Sequence, residues 1–329
     1  MRWLAISAID MPKKNKSTPS LKTVDLFAGC GGLSLGFSNA GFDIVAAYDN
    51  WGLAHTVYQK NFNHDSYLLD LSDVSGAVEH ILRYAPDVII GGPPCQDFSI
   101  AGKRVESNRA SLTVAFAEII ARVSPRIAVM ENVYNIEKSK SLGVAKSILA
   151  EAGYGITTRV INASLIGVPQ MRKRFFLIAA KGFEDDIFGS FLDNNLADHQ
   201  MTVADYFGSE IDTEFYYAHP RSYKRRAVFS VHEPSATIRR VNRPIPNNYV
   251  RHPADKVAVT EGVRVLTTLE RSRIQTFPKN FIFYGSKSEQ EHLIANAVPV
   301  KLAQYVAEQV LNCSLSEQNF LKATHPCVE

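Results

Sequence analysis

Hydrophobic positions in the first 180 residues fall into short continuous runs separated by amphipathic stretches. The runs KTVDLFA (22–28), DIVAAYD (43–49), DVIIGG (87–92), RIAVMENV (126–133), 155–161 and 174–180 read as strands, with one more just ahead of LLDLSD. Runs this short and this apolar suit strands covered on both faces. Between them, 32–40, 51–61, 110–123 and 142–152 carry helical spacing. Strands alternating with helices predict an α/β, doubly wound, mostly parallel sheet.

After Lys181 the rhythm breaks. Residues 182 to about 278 hold short apolar runs, prolines and aromatics, as in PSATIRRVNRPIPNNY. This predicts a second, smaller mixed or β-rich lobe. A helical pattern resumes at Gln290 and runs to about Asn312, read as one helix packing back on the first sheet. The expected division is therefore a flexible leader (1–20), a discontinuous large domain (21–182 with 289–329), and a lobe with its hinge (183–288). Met11 offers a second candidate start.

Composition changes this picture little, but charge distribution does. Hydrophobic residues make up 46% of the 329, enough for a large core, and the net charge is only +3. Yet residues 183–214 contain nine acidic side chains and no Lys or Arg, whereas 221–279 contain thirteen basic against four acidic. Such asymmetry fits one face turned toward a polyanion and another kept off it, or equally two differently solvated surfaces. Four cysteines, Cys30, Cys95, Cys313 and Cys327, show no paired or metal-ligand spacing, so a reduced intracellular protein without a metal is expected. No stretch reaches membrane-spanning length.

Four constellations carry chemistry. Asp25-Leu-Phe-Ala-Gly-Cys-Gly-Gly32 joins the first strand to the first helix, where glycines let backbone approach a ligand and helix N–H groups are unpaired. Asp49, at the tip of the second strand, is placed to bind a ribose diol, and Asp70 to accept from an adenine amino group; both could instead be helix caps. Gly91-Gly-Pro-Pro-Cys-Gln-Asp-Phe-Ser99 delivers Cys95 to the same edge on a proline-stiffened turn. The following segment, from Gln96 to Arg109, has the composition of a loop that closes over a substrate. Glu131-Asn-Val133 puts a carboxylate at the end of a buried strand, where desolvation would raise its pKa. Gln170-Met-Arg-Lys-Arg174 sets two arginines beside it, able to pair with it or to grip a carbonyl or phosphate.

These residues resemble the DNA cytosine C5-methyltransferase family, of the bacterial or phage modification type. DLFAGCGG is similar to its donor-binding motif, PPCQ to its nucleophile motif, ENV to its acid motif and QMRKR to its Gln-x-Arg-x-Arg motif. RVLTTLERSRIQTFP (264–278) resembles the block before the hinge, and Asn296-Ala-Val-Pro299 the last motif. The six stand in the family's order and span about 21–311. Ala295 and Ala110 stand where the family commonly has Gly, and Asn50 where some relatives carry an adenine partner, leaving Trp51 as an alternative for stacking.

The resemblance implies S-adenosylmethionine as donor, S-adenosylhomocysteine as product, and double-stranded DNA as substrate. Phe27, Gly29, Gly31, Asp49, Asn50, Asp70, Pro93, Asn296 and Val298 would form the donor site. Cys95 would be the nucleophile, Glu131 the group at cytosine N3, and Arg172 and Arg174 contacts around a flipped base. Gln96, Ser99, Lys103, Arg104 and Arg109, with Arg239, Arg240 and Arg243 of the lobe, would meet DNA. It further implies a cytoplasmic, nucleoid-associated monomer, with a cognate restriction endonuclease as a functional rather than contacting partner. The rival from the same fold is a tRNA cytosine C5-methyltransferase, but the Cys-Phe-Thr element usual in that branch does not occur. A silent DNA-binding relative would lack the nucleophile or the glycines, and a nicotinamide dehydrogenase has no use for PPCQ, ENV and QMRKR.

Overall fold

The computed structural model describes residues 21–94, 112–222, 224–259 and 262–316. The leader, Cys95, Gln96, Ser99, Lys103, Arg104 and Arg109 lie outside the described residues.

Seven strands form the main sheet: β1 (Lys22–Leu26), β2 (Asp43–Asp49), β3 (Asp65–Leu68), β4 (Val88–Gly91), β5 (Ile127–Val133), β6 (Tyr154–Asn162) and β7 (Lys173–Lys181). Their spatial order is β3-β2-β1-β4-β5-β7-β6, parallel except where the reversed β7 inserts between β5 and β6. The central strands are buried throughout, as in VIIG of β4, which is why the apolar runs are continuous rather than alternating. Helices α3 (Val74–Leu82), α4 (Leu112–Val123) and α5 (Lys140–Glu151) cover one face. On the other lie α1 (Gly32–Asn39), α6 (Gly189–Asn194) and α10 (Val300–Ser316), while α2 (Gly52–Asn61) flanks β2 and β3. The mostly parallel doubly wound sheet is thus as the pattern predicts.

The lobe holds α7 (Val203–Phe207), a three-stranded sheet of β8 (Phe215–Tyr217), β9 (Val228–Ser230) and β10 (Arg264–Val265), and α8 (Thr268–Ile274). Pairing there is mixed, parallel for β10 with β8 and antiparallel for β8 with β9. Tyr216 and Tyr217 are fully buried, so their role is packing.

One expectation is corrected. The continuous helix over 290–312 is two helices, α9 (Lys287–Asn296) and α10, parted by Ala297-Val298-Pro299. Pro299 has no N–H to continue the ladder and forces the residue before it out of helical geometry. The break matters, because α9 faces two ways. Its Ile294 and Ala295 join the apolar cluster of the lobe, whereas Leu293 and Ala297 pack with Phe277, Ala47 and Tyr58 against the main sheet.

Candidate active site

In the strand order the chain reverses direction between β1 and β4, and the loops that leave these two strands diverge there to open a crevice. A cavity of about 550 Å3 occupies it. Phe27, Gly29, Asp49 and Asn50 line one side and Pro93, Glu131, Arg172 and Arg174 another, with Asn296 and Val298 closing it. Five of the six motifs, scattered over about 270 residues, thereby meet in one pocket, while the block 264–278 contributes no lining residue.

The donor side is built from backbone. Phe27 sits at φ 58° and Gly29 at φ 56°, so the chain leaves β1 in two left-handed steps. A bulky residue in that region is uncommon, and here Phe27 lines the pocket wall. A Cβ placed on Gly29 would meet no protein atom, which leaves open space beside the backbone there. The Gly29 amide instead donates to Asp49 Oδ2 at 2.8 Å, and the Trp51 amide to Asp49 Oδ1 at 2.8 Å. These two hydrogen bonds from backbone N–H groups hold the carboxylate in one orientation, while burial pushes its pKa up.

Gly31 and Asp70 are not among the lining residues. Gly31, at φ 94°, lets Phe62 approach: a Cβ would come within 2.3 Å of its ring. Asp70 is exposed and accepts from the Ser72 amide at 2.9 Å. Trp51, weighed as an alternative to Asn50, does line the cavity, and its indole packs on His292 of α9 with ring centroids 4.7 Å apart.

The reactive side rests on β4, β5 and β7. Register places Glu131 opposite Phe176 and Val133 opposite Arg174. Arg174 Nε lies 2.9 Å from Glu131 Oε1, both side chains nearly buried. Burial raises the Glu131 pKa, and Arg174 and then Arg172 oppose that rise. Burial also pulls Arg172 and Arg174 down, but a guanidinium starts so high that both stay charged near neutrality. Arg172 donates to the carbonyls of Ala295 (3.0 Å), Ala297 (3.1 Å) and, more weakly, Ile238 (3.5 Å). It therefore ties β7 to the α9–α10 break and to the lobe.

Asn132 has a role that its place in the sequence does not announce. Its Nδ2 donates to the Pro93 carbonyl at 2.9 Å, pinning the turn that leads to Cys95 against β5. The only sequence signal was its place beside Glu131. Gln170 and Gln275, both fully buried, were also passed over: Gln170 Nε2 donates to Gln275 Oε1 at 2.8 Å, and Gln275 Nε2 to the carbonyls of Ile294 and Ala297. Cys30 is buried, its pKa pushed up to about 12 by desolvation, in keeping with a packing role.

Of the three lobe arginines, Arg240 and Arg243 are exposed. Arg239 is half-buried and its guanidinium donates to the His219 carbonyl. The two charge-biased segments meet through ion pairs. Asp212 pairs with Arg264, and Glu210 with Arg273 and Lys279, so acidic and basic stretches partly neutralise one another.

Fold and pocket together define an α/β enzyme of the S-adenosylmethionine-dependent methyltransferase fold. In keeping with this, the S. pombe Dnmt2 methyltransferase superposes with a TM-score of 0.67 at 18% identity, over 89% of this chain and 99% of that one. The family model for C-5 cytosine-specific DNA methylase matches residues 21–312, and the chain belongs to that family. It is 54% identical over 288 residues to the Type II methyltransferase M.HgiDI of Herpetosiphon aurantiacus, covering 87% of this chain and 93% of that protein. To M.HindV, a Type II methyltransferase of Haemophilus influenzae, it is 51% identical over 294 residues, covering 89% and 97%. The enzyme is thus a cytosine-specific DNA methyltransferase. Among the described residues no helix is long and apolar enough to cross a membrane.

Proposed function

We propose that this enzyme methylates C5 of a cytosine flipped out of a specific double-stranded DNA sequence, through a covalent bond between Cys95 and C6, as the modification half of a Type II system. The carrying observation is one cavity that gathers the buried Glu131–Arg174 pair, the Pro93 turn leading to Cys95, and the open cradle at Gly29 and Asp49.

The residues present fit S-adenosylmethionine. Gly29 leaves space at the backbone, the Asp49 carboxylate is oriented for a diol, Phe27 and Trp51 offer aromatic surface, and Asn296 and Val298 complete the wall. Bound there, the donor supplies an electrophilic methyl group on a sulfonium. The protein's own work is to make cytosine C5 nucleophilic. The Cys95 thiolate adds to C6, forming the S–C bond and pushing the C5–C6 electron pair onto the ring. Glu131, its pKa raised by burial, holds a proton or hydrogen bond at N3 and stabilises that charge, while Arg174 fixes its carboxyl group. Once C5 carries the methyl, loss of its proton to a base restores the double bond and expels the Cys95 thiolate. A base stacked in a duplex cannot reach such a pocket, so it must be unstacked at a cost of a few kcal/mol.

Two assays test this. Cys95→Ser should abolish transfer of tritiated methyl to unmethylated duplex while donor binding persists; normal turnover would remove Cys95 from its role. Duplex containing 5-fluorocytosine at the target should trap a complex stable to denaturation, because no C5 proton can then leave.

A further inference from the structure

The segment 239–243 is held from beneath by a buried polar cluster. Asn242 Nδ2 donates to Glu291 Oε1 at 2.8 Å and to the Leu266 carbonyl at 3.0 Å. Glu291, on α9, is buried, accepts also from Thr268 Oγ1 at 3.0 Å, and pairs with Arg271 Nε at 2.5 Å. Arg271 in turn donates to the carbonyl of Arg239. The segment is therefore fixed at both ends, by its backbone at Arg239 and its side chain at Asn242. Between and beyond these points Arg240 and Arg243 stand exposed.

Such a cluster is costly to build. Taking Arg271 and Glu291 out of water loses hydration that their attraction only partly returns, so a well-packed apolar pair would stabilise the lobe as well. What the polar cluster adds is a unique position for the segment above it. The surroundings show what that position serves. Burial first, and then Arg221, Arg271 and Arg225, disfavour the charge on Arg239, and burial followed by Arg243 and Arg239 does the same to His219. Cations crowded in this way repel one another until an anion of high charge density lies across them.

We propose that Asn242, clamped by Glu291, is a positioning residue for target recognition: it sets the backbone of 239–243 so that Arg240 and Arg243 meet the DNA duplex in one fixed register. Asn242 itself touches no DNA. Its effect is on specificity, because base readout depends on side-chain placement whereas phosphate attraction tolerates looseness. The inference rests on the DNA-binding reading of the lobe.

Its test uses the full chain and the duplex whose methylated site bisulfite sequencing identifies. Asn242→Ala removes the clamp without exposing the buried ion pair, whereas Glu291→Gln strands Arg271 and is liable to unfold the lobe. Asn242→Ala should weaken cognate binding about tenfold and shrink the ratio of cognate to single-mismatch affinity. Donor affinity, read from Trp51 fluorescence, and melting temperature should hold. Asn242→Asp, which sets a second carboxylate against Glu291, should lose more than Asn242→Ala. An unchanged discrimination ratio in both variants would overturn the proposal, as would a loss equal on all duplexes and matched by a fall in melting temperature. The double variant Arg240→Ala, Arg243→Ala separates the two levels. If it binds duplex normally, the DNA-facing reading of the segment fails. If it loses binding while Asn242→Ala discriminates as wild type, only the clamp fails.

Discussion

The rim of the main sheet and the small lobe solve the same problem, placing polar groups where a ligand will need them, by opposite means. On the rim, position follows from secondary structure: a strand ends, and the next residue is at the pocket. Glu131 lies two residues before the end of β5, Asp49 closes β2, and Pro93 follows β4 by two residues. In the lobe, strands of two or three residues supply almost no such frame. Position there comes from side chains reaching across long sequence separations, as from Asn242 to Glu291 and from Arg271 to the Arg239 carbonyl. The first design tolerates surface change and is broken by a single core substitution. The second spreads the burden over many hydrogen bonds, each worth about 1 kcal/mol or somewhat more where a charge takes part.

The largest effect should come from the Glu131–Arg174 pair. Glu131→Gln removes the proton held at N3 and strands a nearly buried guanidinium, so kcat should fall by about two to four orders of magnitude. Single-turnover methylation at saturating donor and duplex reads this directly; a loss under threefold would remove Glu131 from the chemistry. Next comes the donor cradle. Asp49→Ala leaves the Gly29 and Trp51 amides without their acceptor, and donor affinity should drop about ten- to a hundredfold with duplex affinity unchanged. Calorimetric titration with S-adenosylhomocysteine would measure it. Gly31→Ala should lower the melting temperature by several degrees, since its Cβ would overlap Phe62 at a left-handed backbone position.

A subtler prediction concerns Asp25 beneath that cradle. It is buried, accepts from Ser34 Oγ at 2.6 Å through one oxygen, and burial raises its pKa from 3.8 to about 7. The folded state therefore binds a proton that the unfolded chain has already released between those values. Stability from this group is full below about pH 4 and declines as pH rises toward 7, by a few kcal/mol at most. Asp25→Asn should flatten that decline, and melting temperatures of both proteins across pH 5 to 8 would reveal it. The smallest effect should be in the lobe's outer ion pairs. Glu210→Gln frees exposed Lys279 and largely shielded Arg273, whose charge still rests on the Tyr206 and Phe207 rings, and neither melting temperature nor cognate discrimination should move measurably. A large loss there would erase the distinction between the clamp at Asn242 and ordinary surface charge.

Most of the rim could be read from the chain. Apolar runs that end in Asp, Gly-Pro-Pro or Glu-Asn imply strands delivering those groups to one edge, because parallel strands joined by helices share their carboxyl ends. Asp70 and Gly31 stand outside the cavity lining. Both stand in motif positions, yet one is an exposed turn residue and the other makes room for Phe62. Spacing along a strand says which edge a residue reaches, not which way its side chain turns. The α9–α10 break was marked by Pro299, but an otherwise helical pattern on either side concealed it.

By itself the sequence determined the sheet, its order of strand and helix, and the residues arriving at the crevice, since these follow from local periodicity and from the short loops that glycine and proline allow. Tertiary structure alone decided the partners. That Arg172 would spend its donors on three carbonyls, that Asn132 would hold Pro93, and that Glu291 would be buried beneath the arginines of the lobe are facts about contacts between distant segments. A hydrogen bond needs two groups within about 3 Å, and nothing in one stretch of chain records what another stretch will bring to it.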